Sequence, residues 1–231
     1  MTSERQPELH LVTGGSSGLG AAVAQRLDDR GDRVLVLDRK PPETDLPWIE
    51  VDLADPASVD AAMLDVLDRT EHLDGVVYAA GVDACGELED VDGTSWDRVV
   101  GVNLLGAARV VRHALPALRE RNGIVVTVAS TLALKSLPAA TAYCASKAGV
   151  LAFTRALAAE EQGRTRVTCI IPGGMATSFF DGRPERFAPG PDAVLNDPSD
   201  VAAAIVFAMD QPPGCEVREL VICPSVEPSW P

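Results

Sequence analysis

Short apolar runs rich in β-branched residues recur along the chain. They alternate with longer stretches in which apolar positions return every three or four residues. The runs fall at 9–13, 33–38, 48–52, 75–80, 123–130, 166–171 and 217–222. They are apolar on both faces, the pattern of strands buried inside a parallel sheet. The longer stretches, at 18–30, 56–69, 95–121, 141–163 and 198–209, predict helices. Two of these have marked starts: "DPAS" and "DPSD" place a proline at the first helical position behind an acidic N-cap. Strands that alternate with helices require right-handed crossovers. The expectation is therefore a doubly wound α/β fold: seven mostly parallel strands with helices on both faces.

The bulk numbers narrow this picture. Aromatic residues make up only 4%, so the core has to be built from Val, Ala, Leu and Ile. A formal charge of -14 repels polyphosphate, which argues against nucleic acid or an anionic membrane as partner. No signal peptide is evident, no apolar run approaches the length of a membrane span, and the five cysteines are scattered without a C-x-x-C pair. A cytoplasmic protein with reduced thiols is expected. His10, His72 and His113 are isolated, without metal-ligand spacing, and no metal is expected. The first eight residues, "MTSERQPE", are read as a flexible polar tail, and residues 9–231 as one domain.

The first strand runs directly into "TGGSSGLGAAVAQRL", which spaces Gly14, Gly18 and Gly20 as G-x-x-x-G-x-G around Ser16, Ser17 and Leu19. Glycine there permits positive φ and close approach of backbone to a pyrophosphate. The helix that follows offers its free N–H groups and positive dipole end to the same anion. This is the place of a dinucleotide in a Rossmann-type fold. Asp38 closes the second strand 18 residues beyond Gly20, where a carboxylate would bond ribose hydroxyls and repel a 2′-phosphate. NAD is favoured on that ground, although Arg39 next door could instead hold the phosphate of NADP. Asp52, followed by Leu53 in "VDLAD", could bond the adenine amino group.

Tyr143 and Lys147 lie four residues apart in the alanine-rich stretch "TAYCASKAG" and share a helix face. A neighbouring ammonium in a poorly solvated cleft favours phenolate, so the pair predicts a tyrosine of lowered pKa that exchanges a proton with a substrate oxygen. Cys144 is one position on, about 100° around the helix, and is expected to pack as a small hydrophobe. Ser130 stands at the carboxyl end of the preceding strand, 13 residues before Tyr143, where its hydroxyl could bond the same oxygen. Asn103, in "VNLLGA", falls inside a long helix, as a satisfied core amide or a helix irregularity.

Taken together, Asn103, Ser130, Tyr143, Lys147 and "TGGSSGLG" resemble the short-chain dehydrogenase/reductase family over nearly the whole chain. The resemblance implies that Tyr143 is the acid/base and that Lys147 lowers its pKa and binds the nicotinamide ribose. It implies further that Ser130 orients the substrate, and that Asn103 bends its helix to hold a water connecting Lys147 to solvent. "IPGGMAT" resembles the family's Pro-Gly segment, so Pro172, Gly173, Met175 and Thr177 would hold the nicotinamide. Two features depart from the family. "YAAG", containing Ala80 and Gly81, replaces Asn-Asn-Ala-Gly, which implies altered bracing but intact cofactor binding. "ELVICPSVEPSWP" replaces the Asp-Gly-Gly ending of the tetramer contact and is similar to the sepiapterin reductase and serine dehydrogenase branch, which favours NADP.

Residues 177–198 would cover the nicotinamide and line a substrate pocket, with Phe179, Phe180 and Phe187 as apolar contacts. The leading expectation is an NAD(P)-dependent oxidoreductase that interconverts a secondary alcohol and a ketone, as a homodimer or homotetramer. The alternatives are an NADPH-dependent biosynthetic ketoreductase with an acyl or polyketide-like substrate, and a dinucleotide-sensing protein that has the fold without turnover.

Overall fold

The seven expected strands form one sheet. In the computed structural model, which describes residues 6–70 and 72–230, they are β1 (Leu9–Thr13), β2 (Arg33–Asp38), β3 (Trp48–Glu50), β4 (Gly75–Tyr78), β5 (Ile124–Val128), β6 (Arg166–Pro172) and β7 (Glu219–Ile222). The order across the sheet is β3-β2-β1-β4-β5-β6-β7, and every neighbouring pair is parallel. The chain winds outward one way from β1 and the other way from β4. The switch of direction between those two strands opens a crevice at their carboxyl ends.

Alternation along each strand feeds two apolar layers. Leu9, Leu11, Leu35, Leu37, Val76 and Tyr78 pack against α2 (Pro56–Arg69), α4 (Ala107–Arg119) and α5 (Thr141–Glu160). Val12, Val34, Val36 and Val77, one residue out of phase, pack against α1 (Gly18–Asp29) and α6 (Pro198–Met209). The acidic caps act as the sequence implies: Asp55 accepts from Ala57 N at 3.0 Å, and Asp197 from Ser199 N at 2.8 Å.

The helix read at 95–121 is divided. It starts two residues early as α3 (Gly93–Val100), capped by Asp92, then widens into a π-helical stretch, Gly101–Gly106, before α4 resumes. Widening leaves a carbonyl turned out of register at Val102, and the buried hydroxyl of Tyr78 donates to it at 2.5 Å. Gly106 gives that hydroxyl room, because a Cβ there would come within 2.7 Å of the Tyr78 oxygen. Four of the strand candidates run past the sheet. Residues 51–52, 79–80 and 129–130 leave it at the carboxyl ends to line the crevice, and β7 starts only at Glu219. Most of the polar tail read at 1–8 lies outside the described residues. Glu8 within it bonds β2, its carbonyl accepting from Arg33 N at 2.8 Å.

Candidate active site

The crevice is a cleft of about 1260 Å³ at the carboxyl ends of the strands. Its floor is the β1–α1 turn. Gly14 has φ +71°, and a Cβ there would lie 2.8 Å from Ala80 Cα; at Gly20 a Cβ would lie 2.1 Å from the Gly14 carbonyl oxygen. Both positions therefore require glycine, and the strand end and the helix start are pressed together. The first turn of α1 opens behind Ser17, whose side chain caps none of its N–H groups. A row of backbone donors at the positive end of a helix therefore faces the cleft, a fit for the pyrophosphate of a dinucleotide.

Most of the residues expected to bind a cofactor line this cleft. Gly14, Ser17, Gly18, Leu19 and Gly20 form its floor, and Asp38, Arg39, Asp52 and Leu53 one end. Ala80, Gly81, Pro172, Gly173, Met175 and Thr177 line the remainder. Ser16 is the exception: its amide bonds Asp38 Oδ2 at 3.0 Å and its hydroxyl donates to the Lys40 carbonyl at 2.5 Å, so its polar atoms fix the β2 end instead. Asp38 also accepts from Arg39 N at 2.6 Å and is held rigidly. Asp52 is clamped by Arg98 through two bonds of 3.1 Å and accepts from Ala54 N, so its carboxylate is already engaged. Burial pushes that carboxyl upward, but the Arg98 pair prevails and holds it below its ordinary range.

Tyr143 and Lys147 project from one face of α5 into the cleft, with the Lys147 Nζ 5.6 Å from the centre of the tyrosine ring. Lys147 is buried and donates to the Val128 carbonyl at 2.8 Å. Burial lowers its pKa to about 8, against the pull of the Cys169 and Asp83 charges. The lowered tyrosine pKa predicted from the sequence is not found. Burial pushes the Tyr143 phenol above its ordinary value, and the nearby Ser130 hydroxyl opposes this only in part. Ser130 lines the cleft, its oxygen also accepting from Leu132 N at 3.2 Å. Cys144 is buried away from the cleft.

Asn103 stands behind the cleft. Its side chain donates to the Val82 carbonyl and Ser146 Oγ, both at 2.9 Å, and accepts from Val82 N at 2.8 Å. It therefore pins the segment after β4 to α5. A Cβ on Gly81, the residue before that anchor, would sit 3.4 Å from the Lys147 nitrogen.

The family model for short chain dehydrogenase matches residues 8–186. The chain belongs to that family. It is 30% identical over 234 residues to 2-(S)-hydroxypropyl-CoM dehydrogenase 3 of Xanthobacter autotrophicus, covering 90% of this chain and 92% of the relative. Its fold is that of an alcohol dehydrogenase from the archaeon Thermococcus sibiricus complexed with 5-hydroxy-NADP (TM-score 0.84, 23% identity, 94% and 96% of the two chains). It is equally that of a Leptospira borgpetersenii short chain dehydrogenase with bound NAD+ (TM-score 0.81, 24% identity, 94% and 91%). The protein is thus an oxidoreductase of the short-chain dehydrogenase family.

Among the charged residues of this short-chain dehydrogenase that reach the cleft without having been singled out in the sequence are Asp83, Arg98, Arg183 and Glu227. Glu227 lies in the unusual C-terminal segment. Its Oε2 accepts from Gly174 N at 2.9 Å, and its Oε1 from the Ser229 amide and hydroxyl. Ser229 Oγ lies 2.6 Å from Thr131 Oγ1, and Lys135 donates to the Pro228 carbonyl at 3.1 Å. The segment therefore straps the loop after β5 to the loop after β6. A Cβ on Gly173 would meet the Glu227 carboxylate at 2.1 Å, so a side chain at this position would push Glu227 out of the strap.

Far from the cleft, at the amino ends of the strands, His10 is not isolated. Its ring meets Glu8 and Asp32, the three ligand atoms lying within 4.8 Å of one another. Arg30 occupies the same space: its Nε bonds Asp32 and its Nη2 is 3.3 Å from His10 Nε2, which makes the group an ion-pair cluster. No helix among the described residues is long and apolar enough to cross a membrane.

Proposed function

We propose that this short-chain dehydrogenase interconverts a secondary alcohol and a ketone, with Tyr143 as the general acid and base. The observation that carries the reading is the convergence of Tyr143, Lys147 and Ser130 on one wall of a cleft whose floor is a glycine cradle. A nicotinamide dinucleotide bound there supplies the hydride acceptor or donor. Gly14, Gly18 and Gly20 would hold its pyrophosphate, Asp38 its adenosine ribose, Lys147 its other ribose, and Met175 and Thr177 its nicotinamide. Asp38 is fixed by two backbone amides, so a 2′-phosphate would meet an immobile anion, and NAD is the favoured cofactor. Arg39 on the same rim is the feature that supports NADP.

The residues act on the substrate oxygen. Ser130 donates a hydrogen bond to it, and Tyr143 gives it a proton in reduction or removes one in oxidation. Burial keeps the phenol protonated at neutral pH, which suits donation to a carbonyl. The buried ammonium of Lys147 favours the phenolate left behind. The name of the Xanthobacter relative, a dehydrogenase of a 2-hydroxypropyl group, agrees with a secondary alcohol. Residues 177–198 form the substrate wall, and pairing of two copies through the helical run 95–121 and α5 would cover Leu105, which is 62% exposed.

The test is turnover with NADH and with NADPH over a panel of ketones. Tyr143→Phe should lower kcat by at least about 100-fold while cofactor fluorescence titrations stay unchanged. Near-normal turnover in that variant would remove Tyr143 from the mechanism, and equal use of both cofactors would remove Asp38 as selector.

A further inference from the structure

The loop after β6 does not lie loosely over the tyrosine. The phenyl ring of Phe179 packs 5.6 Å from the Tyr143 ring, tilted by 52°, and Phe180 stands edge-on to Phe179 at 5.5 Å. The Arg183 guanidinium lies 4.6 Å from the first of these rings and 4.7 Å from the second. Gly182, at φ +74°, makes the reversal that brings Arg183 back over the rings; a side chain at this residue would strain it. Arg183 Nη2 then meets Asp83 Oδ2 at 3.0 Å, and both side chains are largely out of solvent, at 14% and 7% exposure.

Asp83 belongs to the opposite wall, and it is a fixed post. The preceding residue, Val82, is held through both its N–H and its carbonyl by Asn103. The Asp83 carboxylate itself accepts from Ala84 N at 2.7 Å and from the Cys85 thiol at 3.2 Å. The contact with Arg183 therefore ties the substrate loop to a rigid segment that also carries Ala80 and Gly81. A desolvated pair of this kind is costly to break from one side, because the partner is left as a buried, uncompensated charge. Arg183 is further committed by its cation–π contacts, which lose their anchor if the ion pair goes.

We propose that Asp83 and Arg183 are positioning residues for the reaction: their ion pair closes the 177–198 loop and sets Phe179 against Tyr143. Neither residue exchanges a proton with substrate. They act through the aromatic ring that fixes the tyrosine and walls the space where the substrate oxygen must sit. The inference rests on the reading of Tyr143 as acid/base, but the latch itself can be observed without turnover.

The experiment is a double-mutant cycle with Asp83→Asn, Arg183→Met and the double variant. It is read in three ways: kcat and KM for the ketone that the wild type reduces fastest, NADH affinity by fluorescence, and amide hydrogen exchange across residues 178–190. Each single variant should lower kcat/KM by about 10- to 100-fold, since small misplacement of reacting groups costs that much. The loss should fall on kcat as well as KM, with NADH affinity unchanged. The double variant should be no worse than the more impaired single, and exchange across the loop should quicken in all three. Additive losses, or unchanged loop exchange, would overturn the latch. If the wild type turns over no ketone or alcohol, it is the functional reading that fails, and hydrogen exchange still decides whether the pair closes the loop.

Discussion

Lys147 carries two demands at once. In the proposed reaction it must be buried to stand beside Tyr143, and it must stay charged to favour the phenolate. Burial brings its pKa down to about 8, so at neutral pH most molecules still hold the ammonium, but with little margin. Carbonyl reduction should therefore be level through neutral pH and decline as pH rises through about 8, where Lys147 loses its proton. Single-turnover rates of cofactor oxidation against pH check this, and a profile without an alkaline decline in that range would refute it. The Tyr143 phenol is shifted the other way, upward, so it keeps its proton across the same range. The two shifts have one origin: each group disfavours its charged form in a cleft wall of low polarity.

At the scale of elements, the π-helical stretch Gly101–Gly106 lets one helix serve two purposes. It turns Asn103 toward Val82 and Ser146, and it turns the Val102 carbonyl toward Tyr78. Tyr78 begins "YAAG", and its phenol ties that strand end to the π-helical stretch. Tyr78→Phe should leave the Val102 carbonyl unpaired in the core and lower stability by about 1–3 kcal/mol, read as a shifted urea midpoint with an unchanged slope. Much of this level was legible in the sequence. Short β-branched runs, apolar on both faces, located every strand, and Asp-Pro pairs located two helix starts, because those signals are local. Asn103 marked an irregularity inside the 95–121 helix, but its π-helical form was not legible. The Val102 carbonyl that it turns out finds its donor in a tyrosine 24 residues upstream, and only the folded sheet brings the two together. The same holds for Asp83 and Arg183, which are remote in sequence and meet across the cleft, whereas Tyr143 and Lys147 share one helix turn and declare themselves by spacing.

For the whole molecule, the sheet keeps two chemistries apart. The cleft occupies the carboxyl ends of the strands, and the Glu8–His10–Asp32–Arg30 cluster, extended by an Arg30–Asp210 contact of 2.7 Å, occupies the amino ends. Burial acts to lower the His10 pKa, but the hydrogen bonds and charges of Asp32 and Glu8 outweigh it, and the net shift is upward. A histidine raised in the folded state adds stability that is fully present below its unfolded pKa of about 6.5 and is lost as pH rises through the folded value. Melting temperature should accordingly fall with rising pH on the alkaline side of 6.5, and His10→Asn should flatten that slope while leaving cofactor affinity unchanged. An identical slope in the variant would remove His10 as its source.

The strap formed by Val226, Glu227, Pro228 and Ser229 lies outside the sheet, yet all four residues line the cleft. Its hold depends on a few hydrogen bonds to loops, none of which belongs to a strand or a core helix. Sequence change there reaches the substrate wall at small expense to the folding core and without disturbing the glycine cradle. That makes these four positions the economical ones to randomise when selecting this scaffold for a new substrate.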